Sequence, residues 1–314
     1  DWRYRLLPGR GMVSDDTEHT FFVGQALLAR SDDPAGFQRA LAWKLRLWLL
    51  GLPAGVGFAT LRAILKLWIG FPPHRSGVCS AGNGPAMRSA LIGAFFAGDM
   101  DTLTRFVNAS TTLTHTDPRA RVGALAIAHL AAWAIQQPEA RSLELEPLCN
   151  LLEQLGPDPE WQGLVMKMRD AGVRGDSVEA FARSLGLEKG VTGYIYHTVP
   201  VAIYAWHRHA GDFEAGLTAA LRCGGDTDTV GAITGALLGA GLGRKGIPKG
   251  WVEGILEWPR SRKVLETLAG RLAALAGAGI ACRPVRYFWP GLIPRNLFFL
   301  TVVLMHGFRR LIPR

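Results

Sequence analysis

Cysteine is scarce in this sequence and is never clustered. Four cysteines occur among 314 residues, at Cys79, Cys149, Cys223 and Cys282, with no C-x-x-C pair and no zinc-ligand spacing. This distribution argues against both a zinc site of the usual kind and a small disulfide-stapled fold. Reduced thiols, and therefore a cytoplasmic protein, are the resulting prediction.

Sustained alternation of apolar and polar residues, the pattern of half-buried strands, is also missing. Apolar residues instead recur every three or four positions, as they do on the buried face of a helix. The segments with this spacing are 21–28, 37–50, 58–69, 86–96, 103–113, 122–135, 148–155, 161–168, 178–185, 201–206, 213–221, 230–242 and 264–275. Together with 48% hydrophobic and 19% charged residues, the pattern predicts one all-α globular domain with a substantial core.

Negative charge is in short supply. The chain has 35 Lys and Arg against 26 Asp and Glu, a formal net charge of +9 and a pI of about 9.8. Such a balance favours an anionic partner, which includes a diphosphate, a nucleic acid and a membrane surface, and does not choose among them.

The last thirty-odd residues differ from the rest. Residues 283–314 contain six Arg and no Asp, Glu or Lys, and residues 297–305 are nearly all apolar. Nine residues are too few to span a bilayer as a helix. We predict a helical domain over 1–282 and a basic, aromatic extension over 283–314 that packs on it. The alternatives are a nucleic-acid contact and an interfacial membrane anchor or partner site. The aromatic residues of that anchor would be Tyr287, Phe288, Trp289, Phe298 and Phe299.

A short polar stretch near the C-terminal end carries the strongest chemical signal. Gly224 and Gly225 precede Asp226-Thr227-Asp228-Thr229, and a small-residue apolar segment follows. Crowded carboxylates repel one another, and a hard cation with oxygen ligands relieves that repulsion. A phosphatase motif of this kind would follow a strand, whereas the preceding segment 213–221 has helical spacing. An EF-hand loop that begins at Asp226 would need Glu at its twelfth position, where the sequence has Leu237. A simple helix N-cap is the remaining alternative.

A second polar cluster has the same form. Ser14-Asp15-Asp16-Thr17 follows a Gly-rich loop and precedes the helical segment 21–28. Two such loop-to-helix junctions together supply about five or six oxygen ligands, which suits one or two Mg²⁺ ions.

Four motifs in order resemble the ADP-ribosylglycohydrolase family, the dinitrogenase-reductase-activating glycohydrolases. The family has Thr-Asp-Asp-Thr, then Gly-Asn-Gly-x-x-Met-Arg, then Thr-His, and finally Gly-Gly-Asp-Thr-Asp-Thr before a small-residue helix. The matching residues here are 14–17, with Ser in place of Thr, and 82–88, 114–115 and 224–229. The resemblance covers roughly residues 8–258. It implies a compact orthogonal helical bundle with a cleft that binds ADP-ribose. It also implies a Mg²⁺-dependent hydrolase that releases ADP-ribose from an acceptor.

The resemblance also implies the residues of the site. Two Mg²⁺ ions would be held by Ser14, Asp15, Asp16, Asp226, Asp228 and Thr229. The carboxylate that helps to deprotonate the attacking water would be Asp15, Asp16 or Asp228. ADP-ribose or an ADP-ribosylated acceptor would contact Ser80, Gly82, Asn83, Gly84, His115 and Tyr194. The first four form a Gly-rich turn before a helix, a place that attracts phosphate oxygens.

One departure from the family keeps other functions open. The family normally begins with an earlier Gly-Asp-containing helix and a nearby Glu, and the residues before Ser14 do not match that segment. A non-catalytic ADP-ribose-binding module is therefore the first alternative, and a structural or membrane-associated protein of the same fold is the second. A monomer is expected. The acceptor, whether arginine, serine, nucleic acid or a small molecule, is not indicated by the sequence.

Overall fold

The computed structural model describes residues 10–137 and 143–311, with side chains up to residue 305. These residues form sixteen α-helices and two 3₁₀ turns, Ala86–Arg88 and Trp289–Gly291, and contain no strand. The helices are α1 (Asp15–Ala29), α2 (Pro34–Leu50), α3 (Phe58–Trp68), α4 (Pro73–Ser76), α5 (Ala90–Phe95), α6 (Met100–Thr112), α7 (Pro118–Gln136), α8 (Leu145–Leu155), α9 (Pro159–Arg174), α10 (Val178–Ser184), α11 (Ile195–Arg208), α12 (Phe213–Arg222), α13 (Thr227–Gly246), α14 (Lys249–Glu253), α15 (Arg262–Ala278) and α16 (Leu292–Leu311).

The all-α prediction is confirmed, and most helical segments predicted from periodicity match a helix. One predicted helix is wrong in form: residues 86–96 are a 3₁₀ turn followed by α5, because Ser89 Oγ donates to the carbonyl of Pro85 at the junction. The predicted domain over 1–282 and extension over 283–314 include residues 1–9, 138–142 and 312–314, which lie outside the described part of the chain.

Helix α7 lies at the centre of the fold. Its residues Ala126, Ile127 and Leu130 belong to one buried cluster, which includes α8 to α13. Its residues Leu125 and Ala128 belong to a second cluster, which includes α1, α2 and α6. A helix that is apolar on every side must be buried on every side. Helix α7 therefore joins the two halves of the core into one bundle.

Four isolated backbone pairings tie together the loops at one end of the bundle. They join Gly11 to Ile255, Val78 to His115, Gly82 to Tyr194 and Val191 to Gly225. Because these pairings use backbone hydrogen bonds between loops far apart in sequence, they fix the loops without a sheet.

The segment after residue 282 is packed on the body in its first half. The side-chain amide of Gln25 both donates to and accepts from the backbone of Val285, at 2.7 Å in each case. Arg295 donates to both carboxylate oxygens of Glu257, at 2.9 and 2.7 Å. Beyond Asn296, helix α16 is largely exposed. In the part of the chain that is described, no helix is long and apolar enough to cross a membrane.

Candidate active site

Two helix N-termini bring their carboxylates together at the loop end of the bundle. Helix α1 begins at Asp15 and α13 begins at Thr227, directly after Asp226. Carboxylate oxygens of Asp15, Asp16 and Asp228 lie within 4.8 Å of one another. The two polar clusters of the sequence therefore converge in one place.

The N-cap side chains at these two junctions do not cap their helices. At five other helices the N-cap aspartate accepts a backbone N–H; these residues are Asp33, Asp99, Asp117, Asp158 and Asp212. At α1 and α13 the N-cap residues, Ser14 and Asp226, make no such bond. The side-chain oxygens at these two junctions are thus directed to other partners, which argues against the plain N-cap interpretation.

The two glycines before Asp226 are required by the backbone. Gly224 and Gly225 have φ values of +70° and +78°, the left-handed region that glycine tolerates. A Cβ on Gly225 would lie 2.0 Å from the carbonyl oxygen of Val191. This close approach lets the N–H of Asp226 donate to the same carbonyl at 2.8 Å, which sets the start of α13.

Polar neighbours hold the carboxylates in place. Asn83 Nδ2 donates to Asp226 Oδ2 at 2.7 Å and to Thr198 Oγ1 at 3.0 Å. Ser14 Oγ donates to Asp16 Oδ2 at 2.7 Å, and Thr229 also hydrogen-bonds the Asp16 side chain. The other oxygen of Asp16, Oδ1, is buried and has no hydrogen-bond partner among the described residues. A buried carboxylate oxygen without a donor, beside two more carboxylates, fits a hard cation.

Burial and the close approach of the carboxylates raise the pKa values in the cluster. Burial, and then the charges of Asp16 and Asp228, raise the pKa of Asp15 to about 7. Asp228 is open to the cleft, yet loss of bulk solvent and its hydrogen bond with Asp226 raise its pKa to about 6. Burial also raises the pKa of Asp16, although the hydrogen bonds from Ser14 and Thr229 oppose the shift. Without a cation, Asp15 and Asp228 therefore keep their protons to a higher pH than a free aspartate does.

A cleft of about 410 Å³ opens above the carboxylates. Its predicted lining residues are Asp15, Ser80, Gly82, Asn83, Gly84, His115, Asp226, Asp228 and Thr229. Sequence analysis missed one wall, the loop that joins α2 to α3 and the start of α3, residues 55–60. A Cβ on Gly55 would lie 3.5 Å from Asp15 Oδ1, and Phe58 is 74% exposed on this wall. In the sequence, the Gly and Pro residues of this loop indicate a turn, but they do not indicate that the turn would line a binding site.

A buried arginine fixes the state of His115. Arg88 Nη2 donates to Thr114 Oγ1 at 2.7 Å, and that oxygen is 2.8 Å from His115 Nδ1. Because a guanidinium only donates, Thr114 accepts from Arg88, and its hydroxyl also hydrogen-bonds Nδ1 of the ring. The other ring nitrogen of His115, Nε2, lies beside Gly82. Burial, and then the Arg88 charge, lower the pKa of His115 to about 3, so the ring is neutral.

Tyr194 is oriented differently from the other predicted contacts. Its hydroxyl donates to Glu160 at 2.8 Å and accepts from Arg119 at 3.3 Å, and the residue is not among those that line the cleft. Its backbone is nevertheless part of the site, through the pairing with Gly82. Stacking of this ring on adenine stays a prediction.

Comparison with known proteins places this site in a family. The sequence model described as ADP-ribosylglycohydrolase matches residues 2–280. A protein of Archaeoglobus fulgidus is 32% identical over 277 residues, with 84% of this chain and 81% of that protein covered. The ADP-ribosylhydrolase ARH3 of Gallus gallus is 25% identical, covering 81% of this chain and 77% of its own.

Two further relatives agree. The ADP-ribosyl-[dinitrogen reductase] glycohydrolase of Rhodospirillum rubrum is 27% identical, with 79% of this chain and 74% of that enzyme covered. A solved structure described as an ADP-ribosylglycohydrolase-related protein complex superposes with a TM-score of 0.62 at 27% identity, over 84% of this chain and 81% of that one. The chain belongs to the ADP-ribosylglycohydrolase family, whose members hydrolyse ADP-ribose linkages.

Proposed function

We propose that the protein is a Mg²⁺-dependent hydrolase that cleaves the glycosidic bond between ADP-ribose and an acceptor. The observation that carries the proposal is the convergence of Asp15, Asp16 and Asp228 beneath a cleft. Two separate loop-to-helix junctions supply these groups, and at both junctions the side chain of the N-cap residue, Ser14 or Asp226, makes no capping hydrogen bond. Such a cluster is costly unless it binds a cation.

The metal set would be Ser14, Asp15, Asp16, Asp226, Asp228 and Thr229, for two Mg²⁺ ions. Bound Mg²⁺ supplies charge neutralisation and Lewis acidity for ribose hydroxyls and water. The unpartnered Oδ1 of Asp16 and the raised proton affinity of its neighbours support this assignment. Asn83 would keep the Asp226 carboxylate turned toward the cluster through its 2.7 Å bond.

The protein's own groups would bind the substrate on the opposite wall. Ser80, Gly82 and Gly84 line the cleft there, and Nε2 of the neutral His115 ring lies beside them, where its Nε2–H tautomer would supply a neutral hydrogen-bond donor. A neutral donor suits an anionic diphosphate or a ribose hydroxyl without taking its proton. Binding at this wall would position the anomeric carbon over the carboxylates.

The chemical step is a hydrolysis. A carboxylate among Asp15, Asp16 and Asp228 accepts a proton from water as the water oxygen bonds to the anomeric carbon, and the bond to the acceptor breaks. The protonated carboxylate returns that proton, directly or through water, to the leaving acceptor, and free ADP-ribose remains. The transition state has oxocarbenium character, and the nearby carboxylates stabilise its positive charge.

The test is release of ADP-ribose from defined substrates. The protein is incubated with arginine-, serine- and nucleic-acid-linked ADP-ribose, each with Mg²⁺ and with EDTA. We expect release from at least one substrate in Mg²⁺ and none in EDTA. Tight ADP-ribose binding by calorimetry with no release from any substrate would instead establish the non-catalytic binding module.

The setting of the reaction is also a proposal. All four cysteines are free thiols, which supports action in the reducing cytoplasm. We expect the catalytic unit to be a monomer, since every carboxylate of the cluster comes from one chain.

A further inference from the structure

Helix α16 leaves the body of the protein after Asn296. Asn296 is fully buried, and its Nδ2 donates to the carbonyl of Gly51, the last residue before the α2–α3 loop, at 2.6 Å. From that point the helix presents large apolar side chains to solvent. They are Leu297, Phe298, Val303, Leu304 and Met305, each more than 40% exposed.

This exposure extends around the helix rather than along one stripe. Phe298 and Val303 are five residues apart, so they point about 140° away from each other. A partner groove binds a single narrow apolar stripe on a helix, whereas exposed apolar side chains spread over a wider arc suit an extended apolar surface. The arrangement therefore favours contact of α16 with such a surface over docking into a groove.

Helix α2 carries a second group of exposed apolar side chains, close to the start of α16. Trp43, Leu47 and Leu50 lie on one face of α2 at helical spacing, and are 57%, 43% and 51% exposed. Leu47 also lines a small cavity together with Trp289 and Leu292, at the start of α16. The exposed face of α2 therefore lies next to the start of α16, from which the exposed half of that helix extends. We call them together the basic apolar surface.

The charges close to this surface are mainly positive. Helix α2 has Arg39, Lys44 and Arg46 and no Asp or Glu, although Arg39 is paired with Asp33 at 3.3 Å. The guanidinium of Arg46 lies 4.6 Å from the ring centre of Trp43, and Lys44 lines the cavity beside Leu47. In the C-terminal segment, Arg283 and Arg286 are exposed. An apolar surface bordered by these cations complements an anionic, apolar partner.

We propose that the basic apolar surface binds the surface of an anionic phospholipid bilayer, with α16 lying at the boundary between headgroups and acyl chains. Exposed Trp and Phe side chains favour that boundary, and Arg and Lys contact the lipid phosphates. A second copy of the chain is a poor occupant, because it would set two mainly cationic faces against each other. The proposal does not depend on the proposed hydrolase activity.

The experiment is co-sedimentation with vesicles, either of phosphatidylcholine alone or of phosphatidylcholine mixed with phosphatidylserine. Leu304→Glu tests α16 and Leu47→Glu tests α2. Val173→Glu is the matched control. Val173 is 79% exposed, and it lies on α9, a helix that packs in the other core cluster. Circular dichroism checks that each variant is folded, and none of the three residues lines the cleft.

We expect the parent protein to bind the anionic vesicles and to release them as salt rises, since screening weakens the ionic contacts. Leu304→Glu and Leu47→Glu should each lose about tenfold or more in binding, because a charge at the acyl boundary is costly. Val173→Glu should bind like the parent. Because the readout is sedimentation, a protein without hydrolase activity would still pass or fail this test.

Three results would overturn the proposal. The first is no binding to either vesicle. The second is equal binding to neutral and anionic vesicles, or equal binding by the parent and Leu304→Glu. The third is a dimer, seen by light scattering, that Leu304→Glu dissociates while the parent ignores vesicles; that result would assign the surface to a second copy.

Discussion

At the scale of single residues, Asp228 is the carboxylate on which the metal-centred proposal depends most directly. Its oxygens meet those of Asp15 and Asp16 across the junction of α1 and α13. Asp228→Asn keeps the shape of the side chain but removes one charge and one metal-binding oxygen. We expect turnover at limiting Mg²⁺ to fall one hundredfold or more, about 2.7 kcal/mol of transition-state stabilisation. ADP-ribose binding by calorimetry should persist, though weaker.

A matched control is Asp212→Asn, which changes an aspartate that caps α12 away from the cleft. Since Asn is as good an N-cap as Asp, this variant should keep full turnover. Equal turnover of Asp228→Asn and the parent at limiting Mg²⁺ would remove the basis for the metal-centred mechanism.

Thr114 is a positioning residue for His115. Its hydroxyl accepts from Arg88 and also hydrogen-bonds His115 Nδ1 at 2.8 Å, and the residue is fully buried. Thr114→Val leaves both partners short of one hydrogen bond, which should cost about 1–3 kcal/mol of unfolding free energy. It also releases the tautomer of His115, so nitrogen NMR should show a mixture of Nδ1-H and Nε2-H forms. We expect ADP-ribose affinity to fall about tenfold.

Thr111→Val is the control for this variant. Thr111 is equally buried at the end of α6, but its hydroxyl has no hydrogen-bond partner in the described structure. Its replacement should be neutral or stabilising, because no bond is lost. If Thr114→Val kept a single His115 tautomer and the parental affinity, the positioning role would be wrong.

At the scale of elements, the C-terminal segment supports the polar cluster of residues 14–17. Arg295 donates to both oxygens of Glu257 and, at 2.7 Å, to the carbonyl of Val13. The N–H of Val13 in turn donates to Glu257 at 3.2 Å. The residue next to Ser14 is thus held between an arginine and a glutamate, both buried.

Arg295→Met should therefore weaken both the fold and the site. It leaves the Glu257 charge buried without its partner, at a cost of about 3–5 kcal/mol. Denaturant unfolding measures that loss, and a Mg²⁺ titration of turnover should show a raised Mg²⁺ requirement. The control is Arg174→Met, whose ion pair with Asp176 is on the surface and should cost less than about 1 kcal/mol. Equal stability of the two variants would show that the segment does not support the body.

At the scale of the whole molecule, the site makes stability depend on pH. Folding raises the pKa of Asp15 from 3.8 to about 7. The folded state then binds the proton more tightly than the unfolded state, so this contribution is complete at low pH and is lost as pH rises toward 7. Buried histidines such as His115 have lowered pKa values and act in the opposite direction, so the comparison needs a variant that shares them.

Asp15→Asn is the variant for this comparison, because it keeps the histidines of the parent and its Asn side chain does not titrate. In EDTA, the Tm of Asp15→Asn minus that of the parent should increase between about pH 5 and about pH 8, by about 2–4 °C for each kcal/mol. Saturating Mg²⁺ should reverse the order, because only the parent keeps the full set of oxygen ligands. A Tm difference that does not change with pH in EDTA would contradict the raised proton affinity of Asp15.

The sequence by itself determined the features that depend on neighbours along the chain. Helical periodicity predicted the all-α fold, since a 3.6-residue repeat of apolar residues is the condition for burying one helix face. Gly224 and Gly225 indicated a backbone that other residues resist, and the structure shows both at positive φ. The ordered motifs predicted the family, because each motif is local. The 3₁₀ turn at 86–88 also has a local cause, since the Ser89 hydroxyl takes the carbonyl of Pro85 that an α-helical N–H would use. The spacing of apolar residues does not detect such a competition.

Only the tertiary structure decided which helix ends meet. Asp16 and Asp228 are far apart in the sequence, and their approach depends on the two apolar faces of α7 packing both halves of the core. The same packing brings the loop of residues 55–60 to the cleft and Arg295 to Val13. No periodicity encodes these contacts, because each depends on how distant surfaces fit. That fit also left α16 uncovered, although its sequence alone favoured a segment packed on the body.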